Sequence, residues 1–414
     1  MTNSGQAFTV TIVLTGRAQT GGGYHQALTS LRMLMERFPP HFRLRVLDEK
    51  NSFGEPLERL VAEGLLHDRD IITLPQRMPT FRDRVVVENA LLFRFARWIL
   101  SLRGVTVGSG PLARYLDNSD ADLVYFLTPT STAHELQIKP FVWTLWDLCH
   151  LDSPEFPEVR TSGKFEARES TISQNLRKAA LVVVDSQELE DNARRSFGIT
   201  ADKFVKIPFS PPAAITEKGQ DHSQLPLEIK NLAGKYVFYP AQLWTHKNHL
   251  RIAEAIALLK ARGQDIHAVF VGKDHGAGQS LRRRIQELGV EDRIHFLGYV
   301  DDDLIPELYT ASLGLVMASY FGPTNIPPLE ALLLSVPVIA SNQHKAQLGD
   351  AAVFFDPDNA DELAKAIESL TSRSIRAKLA NRGETQLKKI EKQREAGYTE
   401  LGRRMQNLAK RLLF

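Results

Sequence analysis

At 414 residues, with 43% hydrophobic and 24% charged side chains, the chain exceeds one ordinary core and suits two domains of roughly 150 to 200 residues each. Its 51 basic side chains against 49 acidic ones leave a formal charge of +2, which removes any global charge argument for nucleic-acid binding. No apolar run approaches the ~18 residues of a membrane span, and a single cysteine, Cys149, cannot form an internal disulfide.

The start, MTNSGQAFTVTIVLTG, has no basic leader region and reads as a first buried strand; with the lone cysteine it predicts a cytoplasmic protein. Strand-like β-branched runs then alternate with longer amphipathic stretches. FTVTIVL, RLRVL, ADLVYFL, FVWTLW and ALVVVDS stand in the first half, and KYVFYPA, HAVFVG, RIHFLGYV, SLGLVMAS, VPVIAS and AAVFF in the second. Near-continuous apolar strands separated by helices imply parallel sheets covered on both faces, so the fold class is α/β with two doubly wound units.

After the first strand, TGRAQTGGGYHQAL places Gly21, Gly22 and Gly23 ahead of a helix that begins near Tyr24. Three glycines let a backbone approach a ligand closely, and they suit an empty tight turn equally well. Neither G-x-G-x-x-G nor G-x-x-x-x-G-K-[ST] occurs, so dinucleotide oxidoreductases and P-loop enzymes are not supported. The Pro-rich, aperiodic stretch PFSPPAAITEKGQDHSQLPLEIK marks a linker. Predicted domains are therefore 1–215, a linker over 216–230, a second domain over 231–390 and a C-terminal helical segment over 391–414.

In YPAQLWTHKNHLRIAEAI a strand ends at Tyr239 to Ala241 and a helix begins at Asn248. Lys247 thus falls near a helix N-terminus, where a cation is electrostatically misplaced unless an anion binds there. A phosphate would resolve that conflict, and plain solvation is the alternative. In SYFGPTNIPPLEALLLSVPVIAS, Glu330 falls in the first helical turn if Pro328 opens the helix, a place the dipole favours for any carboxylate. Ahead of it, Thr324, Asn325 and Ile326 offer backbone amides before two prolines that cannot donate. Amides beside a carboxylate suit a ligand with an anionic part and a vicinal diol. Further on, DNADELAKAIESL is a helix capped by Asp358 or Asn359. The final YTELGRRMQNLAKRLLF is basic and amphipathic; it reads as a helix packed back on the body, or as one lying on an anionic membrane surface.

These second-half segments resemble a retaining glycosyltransferase of family 4, with the GT-B fold of two Rossmann-like domains facing a central cleft. The family pattern E-G-F-G-L-P-x-L-E, then A-x-x-x-G-x-P-V-I/V-A-S, is matched by G-P-T-N-I-P-P-L-E and A-L-L-L-S-V-P-V-I-A-S. The resemblance implies that Glu330 holds the ribose diol of a nucleotide and that amides around Asn325 and Ile326 grip donor sugar and diphosphate; Gly322 stands at the family's first glutamate. The family's G-R-x-x-x-x-K, which neutralises the diphosphate, appears as A-Q-L-W-T-H-K, with Lys247 matching and Gln242 in place of the arginine. VFVGK, with Gly272 and Lys273, and FLGYV, with Leu297 expected near the base, keep the family order, and the likeness runs from Tyr236 to Phe355.

The first half is more divergent. Gly21 to Gly23 match a turn that faces donor phosphates, and LVVVDSQELEDNARRSFG matches a strand followed by a Ser-initiated helix. VWTLWDLCHLDSPEFPEV resembles the family's T-V-H-D-L with Trp146 at the histidine, Asp147 retained and His150 one turn later; an active pair and a structural pair both remain open. The acceptor pocket is expected from loops such as LPQRMPTFRDR, whose Arg77, Arg82 and Arg84 equally suit a solvated basic face.

The resemblance implies transfer of a hexose, GDP-mannose favoured as donor, to a glycan or lipid-linked acceptor in bacterial polysaccharide or lipopolysaccharide synthesis, in the cytoplasm or at the inner membrane face. Lys247, Asp147 and His150 are the implied catalytic residues; Gly22, Gly23, Gln242, Gly272, Lys273, Leu297, Asn325, Ile326 and Glu330 are the implied donor contacts. No cofactor, nucleic acid or required metal is expected: Asp301-x-Asp303 reads as a helix cap, and His246 with His249, or Cys149 with His150, lacks a full ligand set. A GT-B sugar nucleotide epimerase and a non-catalytic sugar-nucleotide-binding subunit are the alternatives.

Overall fold

The computed structural model describes residues 7–15, 22–39, 42–49, 53–74, 110–212, 215, 222–322 and 324–412. Gly21, Arg77, Arg82, Arg84 and linker residues 216–221 lie outside the described residues.

The first sheet contains β1 (Phe8–Leu14), β2 (Phe42–Asp48), β3 (Ile71–Thr73), β4 (Leu123–Phe126), β5 (Phe141–Thr144), β6 (Leu181–Val184) and β7 (Phe204–Lys206), in the order β3-β2-β1-β4-β5-β6-β7. Neighbours from β3 through β5 run parallel. All seven residues of β1 are buried, as an apolar run in the middle of a covered parallel sheet must be. The second sheet contains β8 (Tyr236–Pro240), β9 (His267–Val271), β10 (Ile294–Gly298), β11 (Gly314–Met317), β12 (Val338–Ser341) and β13 (Ala352–Phe355). Its order is β10-β9-β8-β11-β12-β13, parallel throughout. Strand order reverses between β1 and β4 in one sheet and between β8 and β11 in the other. Open parallel sheets bind ligands beyond the strand C-termini at such reversals.

Packing divides the chain into two compact units, Met1–Thr144 with Thr171–Val182 and Gly402–Phe414, and Leu145–Ser170 with Val183–Leu401. Asp147 and His150 therefore belong to the same unit as Lys247, whereas the sequence places its boundary in the linker after residue 215. The helix predicted after Asp356 spans Ala360–Ser369, and its cap is Asn359, whose side chain accepts from the amides of Asp361 and Glu362.

The last element is a single 40-residue helix, Arg373–Leu412, rather than a separate segment starting at 391. Leu401, Met405 and Ala409, one helical face, are buried, so the apolar stripe that could have met a membrane is covered by protein.

Candidate functional site

At the reversal in the second sheet, the chain leaving β8 meets the chain leaving β11. Tyr320 N–H donates to His246 O at 2.9 Å and Ser319 Oγ to the same carbonyl at 3.4 Å. Lys247 closes a 3-10 turn, Thr245–Lys247, and Asn248 with φ of 57° turns the chain into the helix His249–Ala261; asparagine tolerates this left-handed conformation better than most residues. The amides at the start of the turn are already taken: those of Thr245 and His246 both donate to the Glu158 carboxylate.

Lys247 itself is half-buried, and Tyr239 O–H anchors its carbonyl at 3.0 Å. Burial lowers the pKa of its ammonium, against the pull of Cys149 and Asp147. Among the described residues no carboxylate forms an ion pair with it; Nζ stands 3.5 Å from Asn325 Oδ1. Beside it His246 lies flat on Phe321, with ring centroids 4.0 Å apart. Burial and then Lys247 push His246 down to about 4, so the ring is neutral at pH 7.

The loop after β11 leads into the helix Ile326–Leu333, with Asn325 as its N-cap residue. Helix formation begins two residues earlier than the sequence suggests, so Glu330 lies beyond the first turn. The dipole, which fades within one turn, no longer accounts for it. Tyr309 O–H donates to Glu330 Oε2 at 2.8 Å, and burial raises Glu330 to about 7. The loop amides also differ from expectation. Gln347 clamps Asn325 from both sides, accepting its N–H at 3.1 Å and donating to its carbonyl at 2.7 Å. Pro327 and Pro328 carry no N–H, so within the first three helical positions only Ile326 has an amide to give.

Gln242, Gly272, Lys273 and Leu297 come together at the C-terminal ends of β8, β9 and β10. Leu243 N–H donates to Lys273 O at 2.9 Å and Gly272 N–H to Gly298 O at 2.8 Å. Gln242 is exposed and accepts from Trp244 Nε1 at 2.9 Å. The Lys273 ammonium lies 5.3 Å from the centre of the Tyr299 ring, itself 53% exposed. Leu297 is half-buried against the core.

Gly272 is a packing requirement: a Cβ there would lie 2.5 Å from Ala241 O. Gly272→Ala is expected to destabilise the fold by about 1–3 kcal/mol, seen as a lower urea midpoint. An unchanged midpoint would mean that the β8 and β9 ends separate without cost.

Asp147 accepts from Arg168 and, at 3.0 Å, from Cys149 N–H. His150 is fully buried, and its Nε2 lies 3.1 Å from Glu169 Oε2. Burial lowers its pKa more than Glu169 raises it, so the neutral ring donates from Nε2. Each of the two candidates therefore has its own partner on the helix Lys164–Lys178. In the first unit, Gly22 opens the helix Gly22–Arg37 and Gly23 is exposed. Thr15 and Thr128, following β1 and β4, join hydroxyls at 2.7 Å beside that reversal.

Asp301 precedes a 3-10 turn, Asp302–Leu304, without a side-chain cap bond, so the predicted capping role is not seen. No group of three or more metal-binding side chains occurs among the described residues.

Residues missed from sequence are the supports: Glu158, Arg168, Glu169, Asp185, Tyr309 and Gln347. Glu158 and Asp185 lie inside segments that resemble the family, VWTLWDLCHLDSPEFPEV and LVVVDSQELEDNARRSFG; the other four carry no local signal.

Residues 227–386 match the family described as Glycosyl transferases group 1. Over 239 residues the chain is 26% identical to the O-antigen chain mannosyltransferase B of Escherichia coli, covering 56% of this chain and 63% of that protein. The match thus spans less than two thirds of that relative's length. HepE of Anabaena, solved with UDP and glucose, superposes with a TM-score of 0.68 at 17% identity over 95% of this chain and 99% of its own. Sucrose-phosphate synthase of Thermosynechococcus elongatus gives 0.63 at 18% identity over 97% and 99%.

Proposed function

Since the chain carries a glycosyl transferases group 1 domain, residues 227–386, on a GT-B fold, we propose that it is a retaining glycosyltransferase. It takes a hexose, mannose in the first instance, from a nucleotide diphosphate sugar and places it on a hydroxyl of a glycan or lipid-linked acceptor in bacterial surface polysaccharide synthesis. The observation that carries this reading is Lys247: a half-buried ammonium at the strand-order reversal with no carboxylate ion-paired to it among the described residues. An anion with two or more negative oxygens completes it.

As the glycosidic bond breaks, charge develops on the leaving diphosphate. Lys247 and the Ile326 amide are placed to stabilise it, and no cofactor is invoked. The β-phosphate oxygen takes the proton of the acceptor hydroxyl as that oxygen bonds the anomeric carbon on the face the diphosphate leaves, which retains configuration. Asp147, with its side chain 29% exposed, can meet an acceptor and orient it; His150, with no exposed surface, holds Glu169 instead. Glu330 accepts from the ribose diol.

The name of the Escherichia coli relative supports a mannosyl donor, and hence GDP; the UDP bound by the Anabaena protein makes UDP its first competitor. The reaction is placed in the cytoplasm. Among the described residues no helix is long and apolar enough to cross a membrane. The exposed Lys410 and Arg411 suit contact with an anionic membrane face.

Thermal stabilisation by millimolar GDP, UDP, ADP and dTDP, repeated with Glu330→Ala, tests the donor site. One nucleotide is expected to raise the wild-type Tm selectively and to lose that effect in the variant. No shift with any of them would leave only the fold. Product analysis with the matching sugar nucleotide then separates transfer from epimerisation.

A further inference from the structure

Asp185 has no part in the chemistry above. It follows the C-terminal end of β6 and is 3% exposed. Among the described residues no cation pairs with it, and its side-chain partners are two hydroxyls. Ser186 Oγ donates to Oδ1 at 3.0 Å, and Thr324 Oγ1 donates to Oδ2. Burial raises its pKa to about 7, with Asp147 and Glu188 adding to the shift and the Ser186 bond opposing it. A carboxylate kept from water with no cation paired to it among the described residues is costly to hold, and such groups concentrate at functional sites.

Thr324 lies in the loop after β11, next to Asn325, whose Oδ1 faces Lys247 Nζ at 3.5 Å. From Ser319 to Leu329 that loop and helix start have no acidic residue of their own, position 322 being glycine. The carboxylate that reaches the loop comes instead from β6, distant in sequence. What it grips there is an alcohol O–H, the same donor a sugar presents.

Resting on the donor site proposed above, we propose that Asp185 is a positioning residue for the transferred sugar: through Thr324 it fixes the loop between β11 and Ile326–Leu333, and so sets where the sugar sits relative to Lys247. Asp185 and Thr324 thus act on the sugar half of the donor, while Lys247 and Glu330 act on its nucleoside diphosphate half.

The test compares wild type with Asp185→Asn, Thr324→Val and Thr324→Ser. Each is titrated with GDP and GDP-mannose, and with UDP and UDP-glucose. Asp185→Asn and Thr324→Val are expected to keep the affinity for the free nucleoside diphosphate within about twofold and to weaken the sugar nucleotide about 10-fold, the scale of one hydrogen bond to a charged group. Thr324→Ser, which keeps the hydroxyl, should behave as wild type.

An equal loss for both ligands in Asp185→Asn makes the residue structural and overturns the proposal, as does wild-type affinity for both. If the wild type binds none of the four ligands, the donor site itself falls and this role with it; binding by the wild type with a neutral Asp185→Asn removes the positioning role alone. Should Asp185→Asn not fold, the contrast between the valine and serine variants decides the question.

Discussion

Lys247→Met is expected to lower kcat by more than ~10-fold, since one charge-assisted contact to the leaving diphosphate contributes about 1.5–3 kcal/mol. Methionine keeps the length of the stem and removes only the charge, so the loss cannot be assigned to a cavity. Stability should move the other way. The ammonium pKa is depressed by burial, so the folded protein binds a proton less firmly than the unfolded chain does. That penalty is fully present below the folded pKa and fades as pH rises through it toward the unfolded value. The variant is thus expected to melt at the same temperature as the wild type or higher, with weaker nucleotide binding. A Tm that falls while turnover holds would make Lys247 a structural cation and remove it from the mechanism. Lys247→Arg should not rescue, because a planar fork does not replace a compact ammonium facing Asn325 Oδ1.

Glu330→Gln is expected to separate binding from stability through pH. The folded carboxyl titrates at about 7, against an ordinary value of 4.5. Between those values the native state holds a proton that the unfolded chain has released, so Glu330 makes stability fall as pH rises through this window. Above it the full penalty applies, on the order of 1–3 kcal/mol. Glutamine has no such term. Urea unfolding of both proteins at pH 5 and pH 8 should therefore give a variant that gains on the wild type by about that amount at the higher pH. Over the same range the wild type should bind nucleotide better above pH 7, where the carboxylate accepts from the diol, and the variant should bind weakly at both. Parallel stability curves would mean that Glu330 titrates as in the unfolded chain and is not buried by the Tyr309 contact.

Most of the sheets were legible because parallel strands buried on both faces must be apolar along their whole length. Eleven of the thirteen strands fall on the quoted runs. The exceptions, β3 and β7, have three residues each and form the two edges of the first sheet. An edge strand that short has no room for a pattern, and only pairing with a neighbour defines it. Lys247 was legible as a candidate because a cation near a helix start conflicts with its local setting, and Asn325 and Glu330 because a loop amide ahead of two prolines and a carboxylate soon after them stand close together in the sequence. Their environments were less legible. Glu330 shifted out of the first turn because the helix starts at Ile326, and the Asn325 amide was taken by Gln347, 22 residues away.

By itself the sequence determined two doubly wound parallel sheets, the position of the candidate residues near strand C-termini, and the likeness of the second half to a glycosyltransferase pattern. These follow from local periodicity and short motifs, which act over a few residues. Only the tertiary structure decided which groups are satisfied and which stay open: that Glu158 holds the Thr245 and His246 amides, that Asp147 and His150 are held by Arg168 and Glu169, and that Lys247 has no carboxylate ion pair among the described residues. Asp185 meeting Thr324, 139 positions apart, belongs to the same class. Hydrogen bonds and burial join residues by distance in space, and no spacing along the chain encodes which carboxylate will reach which loop.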